Sequence, residues 1–250
     1  MIRQATADDF GRLNVDDPFL TRILSLYRCY GEGYSFVAFW VQEDAGALTA
    51  AVSRYEDKFS LWMTNAADRE EIVAFLTFQG AESALYNAAF DLPVGEGLHA
   101  IGGQVLAYTA EDYNSDMELY EPEPEELYAL LKACESPTFR VPEYLFFLSD
   151  LRHRDHRGKW HRLGARIDGS LASSVMTVSE TADAVILGAV ATHPHYRRRG
   201  LSRALVCTLA SRMRHEGRSV YILSATQENT RFYMHSGFTV IADFKEIISV

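Results

Sequence analysis

Residues 184–203 constrain the fold more than any other part of the chain. A run of apolar residues at 184–192 leads into His-Pro-His-Tyr, Arg197, Arg198, Arg199 and Gly200, and an amphipathic stretch follows. A strand–turn–helix junction of this kind leaves the first backbone N–H groups of the helix without partners, at the positive end of its dipole. Gly200 has no Cβ to hold an anion away from the backbone. The junction therefore predicts a site for a phosphorylated ligand.

The residues after the loop predict a helix and a second strand. Apolar residues recur every four positions, at Leu201, Leu205, Leu209 and Met213. Gly217 is a plausible end of this helix, and the short apolar run at 219–223 is typical of a buried strand. Together these segments predict one βαβ unit with the anion-binding loop at its first turn.

Two motifs in this unit resemble those of the GNAT N-acetyltransferase family. The sequence Arg-Arg-Arg-Gly-Leu-Ser at 197–202 is similar to the family's R/Q-x-x-G-x-G/A acyl-CoA loop. Tyr233, followed by Gly237 and Phe238, is similar to the Tyr-x-x-x-Gly-Phe that lies some thirty residues later in that family. The resemblance spans residues 115–250. It departs from the family at Ser202, where Gly or Ala is preferred, and at Asn229, since the family's asparagine more often stands where this chain has Thr226.

The resemblance implies an α/β (α+β mixed-sheet) GNAT acyl-CoA N-acyltransferase fold with acetyl-CoA as cosubstrate and no metal. The diphosphate would bind at the loop, and the pantetheine arm would lie along the preceding strand like an added strand. The implied cofactor-binding residues are Val190, Ala191, Thr192, Arg197, Arg198, Arg199, Gly200, Leu201, Ser202, Arg203 and Asn229. Tyr233 would protonate the departing thiolate as a general acid, while the amine of a small molecule or peptide attacks the thioester directly.

Other interpretations of these residues stay open. The arginine run is also typical of a solvated patch or a nucleic-acid-binding surface. Tyr233 could be a core residue without a catalytic role, and Asn229 could cap a helix instead of contacting CoA. His193 and His195 flank Pro194, and we favour no catalytic or metal-binding role for them.

The sequence does not identify the general base that would deprotonate the amine. The strands predicted at 184–192 and 219–224 contain no carboxylate. A water chain, Glu180 or a residue of the first half of the chain could deprotonate the amine. The missing carboxylate also favours a rival from another class, a non-catalytic acyl-CoA sensor.

Composition and charge limit the class of protein. The chain of 250 residues is 48% hydrophobic and 12% aromatic, which is typical of a globular protein. Its three cysteines are widely spaced, and the N-terminus has no targeting pattern and no apolar run of membrane-spanning length follows. We therefore expect a cytoplasmic protein without a membrane partner.

Charge is distributed unevenly between the two halves of the chain. Residues 1–125 hold 7 Lys/Arg against 22 Asp/Glu, and residues 126–250 hold 17 against 12. Such an acidic first half repels nucleic acid, which is not expected as a partner; an oligomer is possible.

Polar residues at 109–126 suggest a boundary, and we predict domains at 1–112 and 113–250. The second should contain helices from Pro124 and at 142–151, an Arg/His-rich exposed loop at 152–162, and a hairpin turning at Asp168-Gly169. In the first domain, the sequence predicts a strand and a helix at the start, a hairpin at 36–42 and 46–54, and a strand at 59–63. A helix at 69–78 and strands at 83–90 and 103–109 are expected to follow. Between Met63 and the helix at 69–78 there is no Arg-x-x-Gly, so we predict a degenerate GNAT-like half, with an unrelated α/β domain as the alternative.

Overall fold

The computed structural model describes residues 1–93, 98–136, 139–158 and 160–249. The strands within them are β1 (Ile2–Gln4), β2 (Val37–Asp44), β3 (Ala47–Tyr55), β4 (Lys58–Met63), β5 (Ser83–Asn87), β6 (Leu98–Tyr108), β7 (Arg162–Ile167), β8 (Ser170–Glu180), β9 (Ala184–Thr192), β10 (Ser219–Ser224) and β11 (Phe238–Ser249). The helices are α1 (Ala7–Arg12), α2 (Pro18–Tyr30), α3 (Arg69–Phe78), α4 (Pro124–Ala133), α5 (Tyr144–Arg157), α6 (Leu201–His215) and α7 (Gln227–His235). Among the described helices, none is long and apolar enough to cross a membrane.

The chain divides into two compact units, and the end of the chain contributes to both. Unit 1 comprises Met1–Leu106, Leu223–Arg231 and Val240–Val250, and unit 2 comprises Ala107–Ile222 and Phe232–Thr239. Unit 2 holds the anion loop and Tyr233. Asn229 belongs to unit 1.

Unit 1 is a mixed sheet with helices packed on it. Its strands follow the order β1-β2-β3-β4-β5-β11-β6. The pairs from β1 to β4 are antiparallel, β4 and β5 are parallel, and β11 is antiparallel to β5. Alternate residues of β4 pack against α3, with Phe59, Leu61, Ile72 and Tyr86 in one buried cluster. The helix and the parallel strand pair thus share one core.

Unit 2 repeats the same pattern of pairing. Strands β7, β8 and β9 form an antiparallel meander, and β10 lies parallel to β9 after the crossover through α6. Leu127, Leu130 and Leu131 of α4 pack on Met176 and Ala191, so that α4 covers the strands that lead to the loop. Asp168 and Gly169 both have positive φ, 51° and 79°, which confirms the predicted hairpin turn.

Helix α5 is longer than the sequence pattern predicts. The expectation of an exposed loop at 152–162 is wrong for its first part, because α5 continues through Arg157. Asp150 and Arg154, one turn apart, form an ion pair of 2.8 Å, and the Arg154 guanidinium lies 4.9 Å from the centre of the Trp160 ring. These contacts stabilise a turn whose sequence is polar throughout.

Candidate functional site

The first feature of the site is an opening between two parallel strands. β10 pairs with β9 from Ser219–Ala184 to Ile222–Leu187, where the ladder ends, while β9 continues to Thr192. Beyond Leu187, no described strand of unit 2 pairs with this edge of β9. An unpaired strand edge can accept an extended ligand by main-chain hydrogen bonds.

A β-bulge lies in the unpaired part of β9. The register with β8 passes from Met176–Gly188 to Ser174–Ala191, so that Ala189 and Val190 have no partner in the β8 register. Ala189 has a φ of 48°, and its carbonyl accepts a hydrogen bond from the Ser174 hydroxyl at 3.1 Å. Bulges re-aim the backbone of the strand that carries them. Here the half-buried Ala189 and Val190 provide main-chain groups at the opening.

The loop after β9 has the conformation of an anion-binding site. A short 3₁₀ turn at Pro194–Tyr196 leads to Arg198, with a φ of 65°, and to Gly200, with a φ of 79°. A left-handed residue other than glycine costs free energy and often marks a functional loop. Successive backbone N–H groups in such loops form concave sites for anions.

Helix α6 begins without a carboxylate like those at the starts of α4 and α5. Glu143 caps α5 by accepting from Leu145 N at 3.0 Å, and Glu126 accepts from Glu123 N at the start of α4. Gly200 precedes α6 with no side-chain cap, and the first turn of α6 has no acidic residue. The amides of this turn therefore stay available to an anionic ligand.

The arginines of the loop are exposed and add positive charge to these amides. Arg197 donates from Nε to the Thr192 carbonyl at 3.2 Å, and the Arg199 guanidinium lies 5.4 Å from the centre of the Tyr196 ring. Arg203 is exposed on the first turn of α6, while Leu201 is buried beneath it. The loop residues that the sequence predicted as cofactor-binding thus lie on one continuous segment of unit 2.

Tyr233 lies in the last part of α7 and is only 8% exposed. Its ring contacts those of Phe232 and Phe238, with centroid distances of 5.1 and 5.9 Å. Burial raises the pKa of Tyr233 to about 12. The phenol is therefore protonated at neutral pH, the state that a proton donor needs.

Asn229 does not cap α7, so that interpretation is wrong. The cap is Thr226, whose hydroxyl accepts from the backbone N–H of Asn229 at 3.2 Å. Threonine directly before Gln-Glu-Asn is a signal for a helix start that sequence reasoning missed. The Asn229 side chain is exposed, and its contact with CoA stays a prediction.

The two loop histidines contact each other and hold the 3₁₀ turn. His193 Nδ1 accepts from the backbone N–H of His195 at 3.4 Å, and the His193 ring lies near the Tyr196 ring. No group of three or more His, Cys, Asp or Glu in the described residues is placed to hold a metal ion.

Glu180 is the last residue of β8 and lies beside the start of β9, away from the bulge. It pairs in register with Val185, four residues before Ala189, a separation of about 13 Å along a strand. Its carboxylate binds Arg218 at 2.8 Å and His161 Nδ1 at 2.9 Å, and it accepts a close hydrogen bond from Thr177. Burial alone would raise the pKa of Glu180, but the hydrogen bonds from His161 and Thr177 outweigh it and lower that pKa. These contacts are those of a structural ion pair.

Unit 1 has the opposite charge at the corresponding helix start. β4 pairs with β5 from Lys58–Ser83 to Ser60–Leu85 and then continues to Met63, as β9 does. The helix that follows, α3, is capped by Asp68, whose carboxylate accepts from Glu71 N at 3.0 Å. Glu70 and Glu71 lie in its first turn. Unit 1 thus repeats the strand–helix topology of unit 2, but the carboxylates at its helix start disfavour an anion.

Comparison with known proteins agrees with this geometry. The model of the acetyltransferase (GNAT) family matches residues 124–238. A GNAT acetyltransferase structure from Novosphingobium aromaticivorans is 16% identical, with a TM-score of 0.61 over 94% of this chain and 98% of its own. One from Sphaerobacter thermophilus is also 16% identical, with a TM-score of 0.64 over 100% and 95%. A tandem GNAT protein from the clavulanic acid biosynthesis pathway is 15% identical, with a TM-score of 0.60 over 100% and 98%. Among curated proteins, none matches the chain.

The fold is a mixed α/β fold like that of the GNAT acetyltransferase structures, and this likeness covers 94% and 100% of the chain in the first two of them. Within this fold, residues 124–238 match the GNAT acetyltransferase family model. The likeness to a tandem GNAT structure agrees with the prediction of two GNAT-like halves.

Proposed function

We propose that this protein is an N-acetyltransferase that moves the acetyl group of acetyl-CoA to an amine of a small molecule or peptide. The observation that carries the proposal is the uncapped start of α6 at Gly200, one loop after the unpaired and bulged part of β9. One feature suits a diphosphate and the other suits the amide-bearing pantetheine arm. Their succession in eleven residues matches the two parts of CoA in order.

Different residues would bind different parts of acetyl-CoA. The amides after Gly200 and the guanidinium groups of Arg197, Arg198, Arg199 and Arg203 hold the diphosphate. The backbone of Val190, Ala191 and Thr192 aligns the pantetheine arm, which places the thioester carbonyl near the bulge. Leu201 anchors the first turn of α6 in the core. Contact of the Asn229 side chain with CoA is a separate part of the proposal. Such positioning contributes a large part of the rate of a direct transfer.

The amine nitrogen attacks the thioester carbonyl carbon, a C–N bond forms, and the C–S bond breaks. Tyr233 donates its phenolic proton to the leaving thiolate and is reprotonated from solvent. The proton lost by the amine passes to water, because β9 and β10 contain no carboxylate and Glu180 is engaged with Arg218. Catalysis therefore depends on placement and on one acid.

We also propose that each chain binds one molecule of acetyl-CoA. The carboxylates at the start of α3 make the corresponding position in unit 1 unsuitable for a diphosphate. A cytoplasmic location is part of the proposal, since the three cysteines form no disulfide within the described residues, which suits a reducing compartment.

The second candidate is a non-catalytic acyl-CoA sensor. It is favoured by one observation: the strands on both sides of the opening have no carboxylate to act as a base. A sensor would bind acetyl-CoA tightly and release no CoA with any amine.

The test combines binding and turnover. Calorimetry with CoA measures binding directly, and thiol detection measures CoA release from acetyl-CoA with polyamines, aminoglycosides and peptides. Binding with release that falls in Tyr233→Phe supports the enzyme, whereas binding without release on any amine supports the sensor. No heat on titration with CoA would overturn both.

A further inference from the structure

The hydroxyl groups of three residues connect the anion loop to the sheet. Thr192 is the last residue of β9, and its Oγ1 lies 2.7 Å from Ser173 Oγ on β8 and 2.5 Å from Ser202 Oγ in the first turn of α6. The Thr192–Ser202 bond joins the two ends of the loop. In the loop motif, Ser202 stands where the family prefers Gly or Ala. Its additional hydroxyl group makes the hydrogen bond with Thr192.

The direction of the chain of hydroxyls follows from its buried end. Ser173 is fully buried and donates its single hydroxyl hydrogen to the Ala191 carbonyl at 2.8 Å. Ser173 therefore accepts from Thr192, and Thr192 accepts from Ser202. The Ser202 hydrogen is thus directed into the protein and is not available to donate to a ligand.

Thr192 holds the loop through its carbonyl as well. That carbonyl accepts from Arg197 Nε at 3.2 Å, so one residue is bonded to the middle and to the end of the loop. Between these two bonds the backbone takes the left-handed conformations of Arg198 and Gly200. Such conformations persist only where the surroundings hold them.

We propose that Thr192 and Ser202 form a latch that fixes the anion loop in its binding conformation before the ligand arrives. Both are positioning residues for the diphosphate of CoA, so this inference rests on the proposed function. A loop ordered in advance loses less conformational freedom on binding, which raises affinity.

The test uses Thr192→Val, which keeps the shape of the side chain and removes the hydroxyl. We expect the Kd for CoA, measured by calorimetry, to rise roughly 3–10-fold, the value of one hydrogen bond. Ser202→Ala should give a similar rise, and the double variant should be no weaker than the weaker single one, because both remove the same bond. Thr192→Ser retains the hydroxyl and should restore the affinity.

Two comparisons separate a latch from a general loss of stability. Thr208→Val removes a buried hydroxyl of α6 that has no hydrogen-bond partner within the described residues, and it should leave the Kd unchanged. Pantetheine, which has no diphosphate, should inhibit CoA release equally in wild type and Thr192→Val. Hydrogen exchange of the loop amides should be faster in Thr192→Val without any ligand.

The latch is overturned if Thr192→Val binds CoA as wild type does, if the two substitutions are additive, or if loop exchange is unchanged. Equal weakening of pantetheine and CoA would also overturn it, since that result indicates a distorted strand. These outcomes leave wild-type CoA binding intact. The proposed function fails separately, when wild type itself binds no CoA while the exchange difference persists.

Discussion

Gly200 and Gly169 have the same backbone φ of 79°, and no atom would lie within 4 Å of a Cβ added at either. Gly169 is in the turn between β7 and β8, and Gly200 precedes α6 at the proposed diphosphate site. The diphosphate is proposed to lie in the open space beside Gly200, whereas no ligand is proposed beside Gly169. This makes them a matched pair for substitution.

Gly200→Ala and Gly169→Ala should each lower the free energy of unfolding by about 1 kcal/mol, because alanine is strained at positive φ. Only Gly200→Ala should also weaken CoA binding, by roughly tenfold, since its Cβ projects to where the diphosphate would lie. Denaturant unfolding and calorimetry measure the two effects. Equal CoA affinity of the two variants would show that the diphosphate binds elsewhere.

Tyr233→Phe should lower kcat by roughly 100-fold and leave the Kd for CoA almost unchanged, because it removes a proton donor and keeps the ring. The raised pKa of about 12 keeps Tyr233 protonated. The wild-type rate should therefore show no loss from tyrosine ionisation below about pH 11. Tyr196→Phe, on the half-buried loop tyrosine, is the control. A decrease in rate shared by both variants would contradict the assignment of Tyr233 as the acid.

Glu180→Gln should lower the free energy of unfolding by about 2 kcal/mol and leave kcat unchanged with any amine that is turned over. The reason is that Glu180 binds Arg218 and His161 away from the bulge. Glu216→Gln changes the more exposed of the two carboxylates that pair with Arg218, and it should lower the free energy of unfolding by less. A selective loss of kcat in Glu180→Gln would restore Glu180 as the general base.

The same pair predicts how stability depends on pH. The pKa of Glu180 is lowered in the folded state from its ordinary value of 4.5, so its contribution is present above that value and disappears as the pH falls through the folded-state pKa. The difference in unfolding free energy between wild type and Glu180→Gln should therefore decrease in acid. A difference that stays constant from pH 7 to pH 3 would be inconsistent with an ionised Glu180.

Calorimetry should give one CoA bound per chain. Asp68→Ala should lower the free energy of unfolding by about 1 kcal/mol through loss of the α3 cap and should not change this stoichiometry. A second binding event in the wild type would show that the carboxylates of α3 do not exclude the ligand.

Local signals in the sequence predicted the elements around the site. The four-residue spacing of Leu201, Leu205 and Leu209 indicated α6, and Asp168-Gly169 indicated the hairpin turn, because each depends on neighbouring residues alone. The resemblance of the loop at Gly200 to the family motif indicated the same segment that the structure leaves uncapped.

Tertiary structure decided what depends on distant residues. The pairing of Phe244 with Asn87 brings the last strand into unit 1, and no local pattern encodes a partner that far along the chain. The end of the β9–β10 ladder at Leu187 and the bulge at Ala189 also depend on registers between strands. Ser173, from β8, entered the loop's hydrogen bonds only through that register. Sequence determined the helices, the turn and the loop because their geometry is local; register and strand pairing required the folded sheet.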